Sequence, residues 1–230
     1  MSFRIKIASQ FKEFQKLVLV SVLIGFLASF LAVSLKRITE HYEDIFFLKA
    51  TQINFLYFLF PLFGLTIIYF LRKYLFKNKE NKGIKEIFEC TESPNKNLPI
   101  YKIPSHFING FFTVIFGGST GIEVSTVVSS ATIGSVAQRK ANFLHKYKTE
   151  LICAGIAAGI TALFCSPIAG ILFSVEVISR KVNKTLLFTN SIAVFVASLL
   201  VYVLNEPTLF VIKISTWHIH AIPYFVILGI

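Results

Sequence analysis

Two apolar runs are the feature that most limits what this chain can fold into. They cover residues 17–35 and 53–71, and each is close to the about 20 residues that a helix needs to cross the core of a bilayer. The chain of 230 residues is 54% hydrophobic and 15% charged, whereas soluble domains carry about 25% charged residues. Because water-soluble packing cannot bury this much apolar surface, the sequence predicts an all-α, polytopic membrane protein in contact with a lipid bilayer.

Basic residues between the apolar runs predict the orientation of the chain. The net charge of +11 is concentrated in the tail 1–16 and in the segments 72–102, 139–148 and 180–184. Basic loops stay on the cytoplasmic side, so these segments and the N-terminus are predicted to lie inside. The segments 36–49 and 205–221 are then outside loops. We predict an integral, multi-pass protein of a bacterial inner (plasma) membrane that binds no nucleic acid.

Two stretches, 104–137 and 151–179, begin and end on the predicted inner side. Half of the first stretch is about 16 residues, or about 24 Å of helix, which is less than the about 30 Å of hydrocarbon. Each stretch has a break near its middle, "GGSTG" in the first and "CSP" in the second. We predict paired broken or tilted helices whose tips meet inside the protein, at membrane depth, as in transport folds whose helix N-termini point at an anion.

Glu123 is the carboxylate that follows the first break. The glycines before it (Gly117, Gly118 and Gly121) allow close approach of the backbone, and a helix is predicted from about Ile122. The first N–H groups of that helix form an anion site without a basic side chain. An ionised Glu123 could occupy this site and a protonated one could leave it, so Glu123 is a candidate gate or proton carrier.

Two acidic positions have structural alternatives. Thr120-x-x-Glu123 also fits a capping box, in which the glutamate only caps the start of the helix. Glu176 is either a buried proton relay or an ordinary interfacial ion pair with Arg180 and Lys181. An ionisable group at membrane depth is costly and usually serves a pathway, which favours the functional interpretation for Glu123.

Small residues predict packing and helix starts. Gly155 and Gly159 are four residues apart, a spacing that lets helices pack closely. Ser166 and Pro167 fit the N-cap and first position of a new helix. Gly83, in "ENKGIKEIFE", starts either another helix or a solvated basic loop.

No cofactor or metal site is predicted. The three cysteines form no C-x-x-C pair. His218 and His220 in "WHIH" have no nearby acids or thiols and are interpreted as part of an interfacial loop. An intramembrane enzyme with Glu123 as general base needs a catalytic partner at membrane depth, and the sequence offers no Asp, His–Asp pair or nucleophile elbow there. We therefore predict no enzyme activity.

Three motifs resemble the CLC family of chloride channels and proton-coupled anion antiporters. The stretch "GIAAGITALFCSPIAGILFSVEVI" is similar to the family's small-residue helix, its "FNAPLAG"-type break and the next helix. "GGSTGIEVSTVVSSATIGSVA" stands where the family has "GREGPTVQIG", and "NKGIKEI" stands in the place of "GSGIPEI". The order and spacing of the three motifs agree with the family over residues 17–230.

The resemblance implies a homodimer with a separate anion path in each subunit and two inverted halves per subunit. Residues 17–230, after the tail 1–16, would hold the first half and the start of the second, and the apolar run that stops at Ile230 makes us expect an incomplete unit. The resemblance implies Glu123 as the gating glutamate and dimer contacts through 167–179 and 185–204. The implied anion path consists of Lys82, Gly83, Ile84, Gly121, Ile122 and Val124.

The chain departs from the family's pattern at several of these positions. Ile122 replaces a basic residue, Val124 and Ser125 replace a glycine and a proline, and Lys82 replaces the serine that coordinates the anion. Val177 stands where the antiporters carry a proton-transferring glutamate. We therefore expect permeation of chloride or another small anion that is channel-like or only weakly coupled to protons. The alternative is a truncated fragment that does not conduct.

Overall fold

The computed structural model describes residues 2–50, 56–79, 81–118, 122–208 and 219–228. These residues form helices and connecting turns without a strand, which confirms the all-α prediction. The α-helices are α1 (Ser2–Ala50), α2 (Leu56–Phe70), α3 (Ile84–Glu92), α4 (Lys102–Ile115), α5 (Glu123–Lys140), α6 (Lys148–Phe164), α7 (Pro167–Phe173), α8 (Lys184–Val203) and α9 (Ile222–Leu228). Short 3₁₀ segments (Asn142–Tyr147, Ile219–Ala221) and π-helical segments (Leu71–Leu75, Ser174–Ser179) complete them.

Helix α1 is much longer than the predicted first span. It runs through the segment 36–49, so the prediction of an outside loop there is wrong. The helix continues because both ends of this segment find partners. Lys36 and Arg37 pair with Glu206 after α8, and the Phe46 ring packs 5.8 Å from the Phe116 ring. The predicted tail 1–16 is also helical from Ser2.

Three helices among the described residues are long and apolar enough to cross a membrane: Phe11–Phe47, His145–Phe164 and Lys184–Val203. The protein is an integral membrane protein. The predicted second span, 53–71, begins outside the described residues, and α2 covers its remainder with Pro61 inside the helix. Gly64 lets Phe116 pack against α2. A Cβ at position 64 would come within 2.6 Å of the Phe116 Cβ.

Contacts between distant segments collect the predicted inner segments on one side. Lys146 of the 3₁₀ segment pairs with Glu13 of α1 at 2.6 Å. The buried Lys148 Nζ donates to the Ser93 carbonyl at 2.9 Å, and Asn183 Nδ2 donates to Glu150 Oε1 at 3.1 Å. These bonds join the N-terminal segment and all three basic loops. The Lys36–Glu206 contact likewise joins the two segments predicted to be outside.

The core is built around α6, which is buried along most of its length and approaches α5 closely. A Cβ on Gly155 would overlap the Ser130 carbonyl oxygen, and one on Gly134 would overlap the Leu151 carbonyl oxygen. A Cβ on Gly159 would lie 2.9 Å from the Ser130 Cβ. The small residues therefore bring the two backbones together, as predicted for the small-residue spacing.

The second hairpin turns at Cys165, which adopts a left-handed conformation with φ of 53°. Helix α7 begins at Pro167 as predicted, although the Ser166 side chain makes no capping bond. The Cys165 Sγ lies 3.5 Å from the Pro207 carbonyl oxygen, beyond the end of α8. The tip of the second hairpin therefore contacts the segment that follows α8.

Candidate functional site

The N-termini of two helices meet beside the first hairpin. Gly83 precedes α3 and Val124 is the second residue of α5, and a Cβ built on Gly83 would lie 3.9 Å from the Val124 Cγ1. Gly83 has φ of 61°, a left-handed conformation that favours glycine. The helix-start interpretation of this glycine is therefore correct, and the solvated-loop interpretation is wrong. Both helices direct unpaired N–H groups and a partial positive charge toward the same region.

Glu123 is the first residue of α5, and it is exposed. The Thr126 N–H donates to the Ile122 carbonyl at 2.8 Å, so Ile122 is the N-cap and the helix starts where it was predicted. In a capping box Glu123 would be the third helical residue. The structure makes it the first, so the capping-box interpretation is wrong. Thr120 lies outside the described residues.

The tip before Glu123 is formed by glycines that end α4. The Gly118 N–H donates to the Thr113 carbonyl at 2.7 Å and the Gly117 N–H donates to the Val114 carbonyl at 2.8 Å. Gly117 has φ of 79°, which a residue with a Cβ rarely adopts. These bonds satisfy carbonyls at the end of α4, as a C-terminal cap does. The glycines thus let α4 stop abruptly and return as α5.

The structure brings most of the implied anion-path residues together. Ile122 and Ile84 are half-buried at the starts of α5 and α3, and the Val124 side chain is 43% exposed. Lys82 is exposed, and its backbone N–H donates to Glu86 Oε1 at 2.7 Å. Gly121 lies outside the described residues. The described residues form one small patch where the two helix starts meet.

A polar cluster supports the start of α3 and was not found from the sequence. It joins the buried Lys102 and His106 to the half-buried Glu86 and the exposed Asn81. The buried Lys102 ammonium pairs with Glu86, whose carboxylate also accepts the Lys82 N–H. The buried His106 Nε2 bonds to Asn81 Oδ1. These contacts fix the residues before α3 against α4. The position of Glu86, third in a helix that follows Gly83, is a signal for such a cap.

Replacing Glu86 by glutamine is expected to lower the free energy of unfolding by about 2 kcal/mol, because it removes the carboxylate charge that pairs with the buried Lys102 ammonium. Thermal unfolding in detergent, followed by size-exclusion chromatography, measures the change. Glu92→Gln is the matched control, since Glu92 is exposed at the end of the same helix. Equal melting temperatures for the two variants would contradict a supporting role for Glu86.

Glu176 lies in the π-helical segment after α7, where it is exposed. It forms no salt bridge with a described residue, so the predicted ion pair with Arg180 or Lys181 is wrong. The Arg180 guanidinium instead stacks 4.8 Å above the Phe88 ring, and this contact links the end of the π-helical segment to α3.

Metal-binding groups are not gathered at this site. Within the described ranges, no cluster of three or more His, Cys, Asp or Glu side chains could hold a metal ion. His220 is in the short 3₁₀ segment before α9, and His218 lies outside the described residues. The chemical groups of the site are the two helix N-termini and the exposed Glu123 carboxylate, with Lys82 and Glu86 beside the start of α3.

Residues 63–230 match the family model described as the voltage gated chloride channel. The chain belongs to this family, the CLC family. A solved structure, described as the crystal structure of a CLC-type fluoride/proton antiporter, is similar with a TM-score of 0.78 and 27% sequence identity. The match covers 94% of this chain and 53% of that one. The resemblance noted in the sequence is confirmed, and so is the CLC-like helical fold.

Relatives in the CLC family include both channels and exchangers. A chloride/fluoride channel protein of Pseudomonas syringae pv. tomato is 27% identical over 116 residues, which cover 50% of this chain and 26% of the relative. An H(+)/Cl(-) exchange transporter ClcA of Salmonella arizonae is 28% identical over 171 residues, which cover 70% of this chain and 35% of the relative. The chain thus spans between a quarter and about half of the length of the proteins it matches.

Proposed function

We propose that this CLC protein carries chloride, fluoride or another small anion across the membrane and that Glu123 gates the path. The observation that carries the proposal is the meeting of two helix N-termini, at Gly83 and Val124, with an exposed carboxylate at the start of the second helix. Two helix N-termini attract an anion through the partial positive charges of their first N–H groups. The described members of the path are Lys82, Gly83, Ile84, Ile122 and Val124, and Gly121 completes it.

In the proposed gate, the Glu123 carboxylate and the permeating anion compete for the same binding site at the helix starts. An ionised Glu123 carboxylate is attracted to the helix starts and excludes a dissolved anion from them. Protonation removes its charge, so the side chain releases the site and the anion enters. Protons are therefore a partner of the gate even where they are not carried across in a fixed ratio.

Transport is channel-like or weakly coupled in this proposal. Val177 follows Glu176 and has no proton to transfer, so the inner proton route that the resemblance implies for antiporters lacks its acid. Chloride and fluoride are both named among the relatives of this chain. Lys82 adds a basic side chain near the start of α3, which would retain a small, strongly hydrated anion more firmly than a hydroxyl group would.

The proposed assembly is a homodimer that uses 167–179 and 185–204. Large apolar side chains on these segments are exposed in the single chain, among them Ile168, Phe195, Leu199 and Tyr202. We place the N-terminus in the cytoplasm of a bacterium and the chain in the inner membrane, since the basic segments gather on one side. Residues 17–230 are proposed to form the first inverted repeat and the start of the second.

Replacing Glu123 by glutamine or alanine tests the gate. The protein, expressed from its complete reading frame, is reconstituted in liposomes loaded with chloride or fluoride. Efflux is followed with ion electrodes from about pH 4, where free carboxyl groups are partly protonated, to about pH 7, where they are ionised. We expect wild-type flux to rise as the pH falls. Glu123→Gln should raise flux at pH 7 roughly tenfold, since an ionised carboxylate at a helix N-terminus competes with about 1–2 kcal/mol.

The Glu123→Gln profile should also lose its pH dependence. Glu176→Gln is the matched control, because Glu176 is the other exposed glutamate at a helix in the two hairpins, and it should keep the wild-type profile. An unchanged pH profile in Glu123→Gln would contradict the gating role. Loss of the pH dependence in Glu176→Gln but not in Glu123→Gln would move the proton-sensitive group to Glu176.

A further inference from the structure

A cavity of about 590 Å³ lies among the N-terminal part of α1, the 3₁₀ segment and the start of α8, and none of the described residues of the proposed anion path line it. Its walls are apolar and aromatic, formed by Phe14, Leu17, Tyr147 and Phe188. The Phe14 and Phe188 rings stack with their centroids 5.2 Å apart. This contact fixes α1 against α8 and gives the cavity one rigid apolar wall.

The polar part of the cavity lining, which we call its mouth, is basic. Lys146 and Lys184 line it, with Glu13 as the acidic residue of the lining. Lys146 is held by Glu13 at 2.6 Å and lies 4.9 Å above the Tyr147 ring. Lys184 is exposed at the first position of α8. The lining thus carries one positive charge beyond what Glu13 neutralises, beside the N-terminus of a 20-residue helix.

A second, apolar groove of about 660 Å³ continues from this cavity along α1. The two share Phe14, and the groove is lined further by Val18, Leu19 and Val22. The groove faces outward on a helix that is long and apolar enough to span a membrane, so its natural surroundings are acyl chains. A basic mouth joined to an apolar groove is complementary to a single amphiphilic molecule with an acidic head group.

We propose that this cavity binds one acidic phospholipid, with its phosphate between Lys146 and Lys184 and an acyl chain along Phe14, Val18 and Leu19. The charge of the mouth selects an anionic over a zwitterionic head group, since each basic side chain near a membrane surface favours an acidic lipid. The ion pair with Glu13 fixes the position of the Lys146 ammonium beside the cavity. The bound lipid bridges α1 and α8 and stabilises their contact.

The test is thermal unfolding of the purified full chain in detergent, with phosphatidylglycerol, phosphatidylcholine or inorganic phosphate as the probe, together with native mass spectrometry to count retained lipid. Phosphatidylglycerol should raise the melting temperature and be retained at one molecule per chain. Lys184→Gln should weaken binding roughly fivefold, as expected for one basic side chain. Lys146→Gln should weaken it at least as much, because it leaves Glu13 facing the phosphate.

Lys181→Gln is the matched control, because Lys181 is an exposed lysine three residues from Lys184 that does not line the cavity. It should change phosphatidylglycerol affinity less than twofold. Equal binding of phosphatidylcholine would overturn the proposal, and equal stabilisation by inorganic phosphate would show an anion site without a lipid. If Phe188→Ala instead changes the oligomeric state and leaves the lipid count unchanged, the occupant is a second copy of the chain and the proposal fails.

Discussion

Replacing Gly155 by alanine is expected to lower the free energy of unfolding by at least about 3 kcal/mol, the upper part of the range for overpacking a close-packed core. The added Cβ would overlap the Ser130 carbonyl oxygen, which belongs to the α5 backbone and is fixed by the helix. The clash can be relieved only if α5 and α6 move apart. Thermal unfolding in detergent, read as the loss of the monodisperse size-exclusion peak, measures the effect.

Gly159→Ala provides the matched comparison on the same helix face. Its Cβ would meet the side chain of Ser130, with 2.9 Å between the two Cβ atoms, and the Thr126 Cγ2 at 3.3 Å. The obstacle is thus a side chain, and removing that side chain should remove most of the clash. We expect Ser130→Gly to restore stability to Gly159→Ala but not to Gly155→Ala, because glycine at 130 keeps its carbonyl oxygen.

Ser130→Gly alone should cost about 0.5 kcal/mol through its lower helix propensity. The Ser130 Oγ has no hydrogen-bond partner among the residues that the structure describes, so its removal leaves none of them unpaired. Rescue of both alanine variants by Ser130→Gly would show that the backbones are further apart than the structure has them. Rescue of neither would show that Ser130 is not the obstacle at position 159.

The small-residue spacing predicted close packing but not the partner of α6. Gly155 and Gly159 lie one turn apart on the same face, a relation fixed by helix geometry and therefore visible in the sequence. Ser130 is 25 residues earlier than Gly155, and nothing local in the sequence links the two. At the candidate site each helix start was predicted from its glycine, and the family resemblance implied that both line one path. The structure adds the geometry, since a Cβ on Gly83 would lie 3.9 Å from the Val124 Cγ1.

Charge patterning was a weaker guide than apolar periodicity. The segment 36–49 has balanced charges, which is typical of a solvated loop, and yet it is helical throughout. Its first two residues are drawn into the fold by Glu206, which is 170 residues after Lys36. In a buried ion pair of this kind, each charge is stabilised by a partner that is distant in the sequence and not by water. The sequence interpretation also missed the pair of Lys102 and Glu86. A charged residue that is paired within the fold is interpreted as a surface residue when its partner is not known.

Replacing Glu206 by glutamine is expected to destabilise the protein by about 3–5 kcal/mol, because the change leaves a buried ammonium without a counter-charge. The side chains of Lys36 and Glu206 are each 1% exposed, with 3.8 Å between Nζ and Oε2. Arg37 pairs with the same carboxylate and donates to the Leu204 carbonyl at 2.6 Å. Thermal unfolding in detergent measures the change, and wild-type stability in Glu206→Gln would contradict the buried pair.

The double variant Lys36→Met with Glu206→Gln tests whether the stability lost in Glu206→Gln is due to the unpaired Lys36 charge or to a change in packing. Removing both partners eliminates the unpaired ammonium, so most of the stability lost in Glu206→Gln should return. Arg37 is half exposed and can be solvated without its partner. Glu89→Gln breaks the exposed pair with Lys96, whose side chains are 43% and 59% exposed, and should change stability little because water already screens that pair. If adding Lys36→Met to Glu206→Gln restores no stability, the Glu206 carboxylate acts through Arg37 and the end of α8. The contact that holds α1 against α8 is then the half-exposed pair of Arg37 and Glu206.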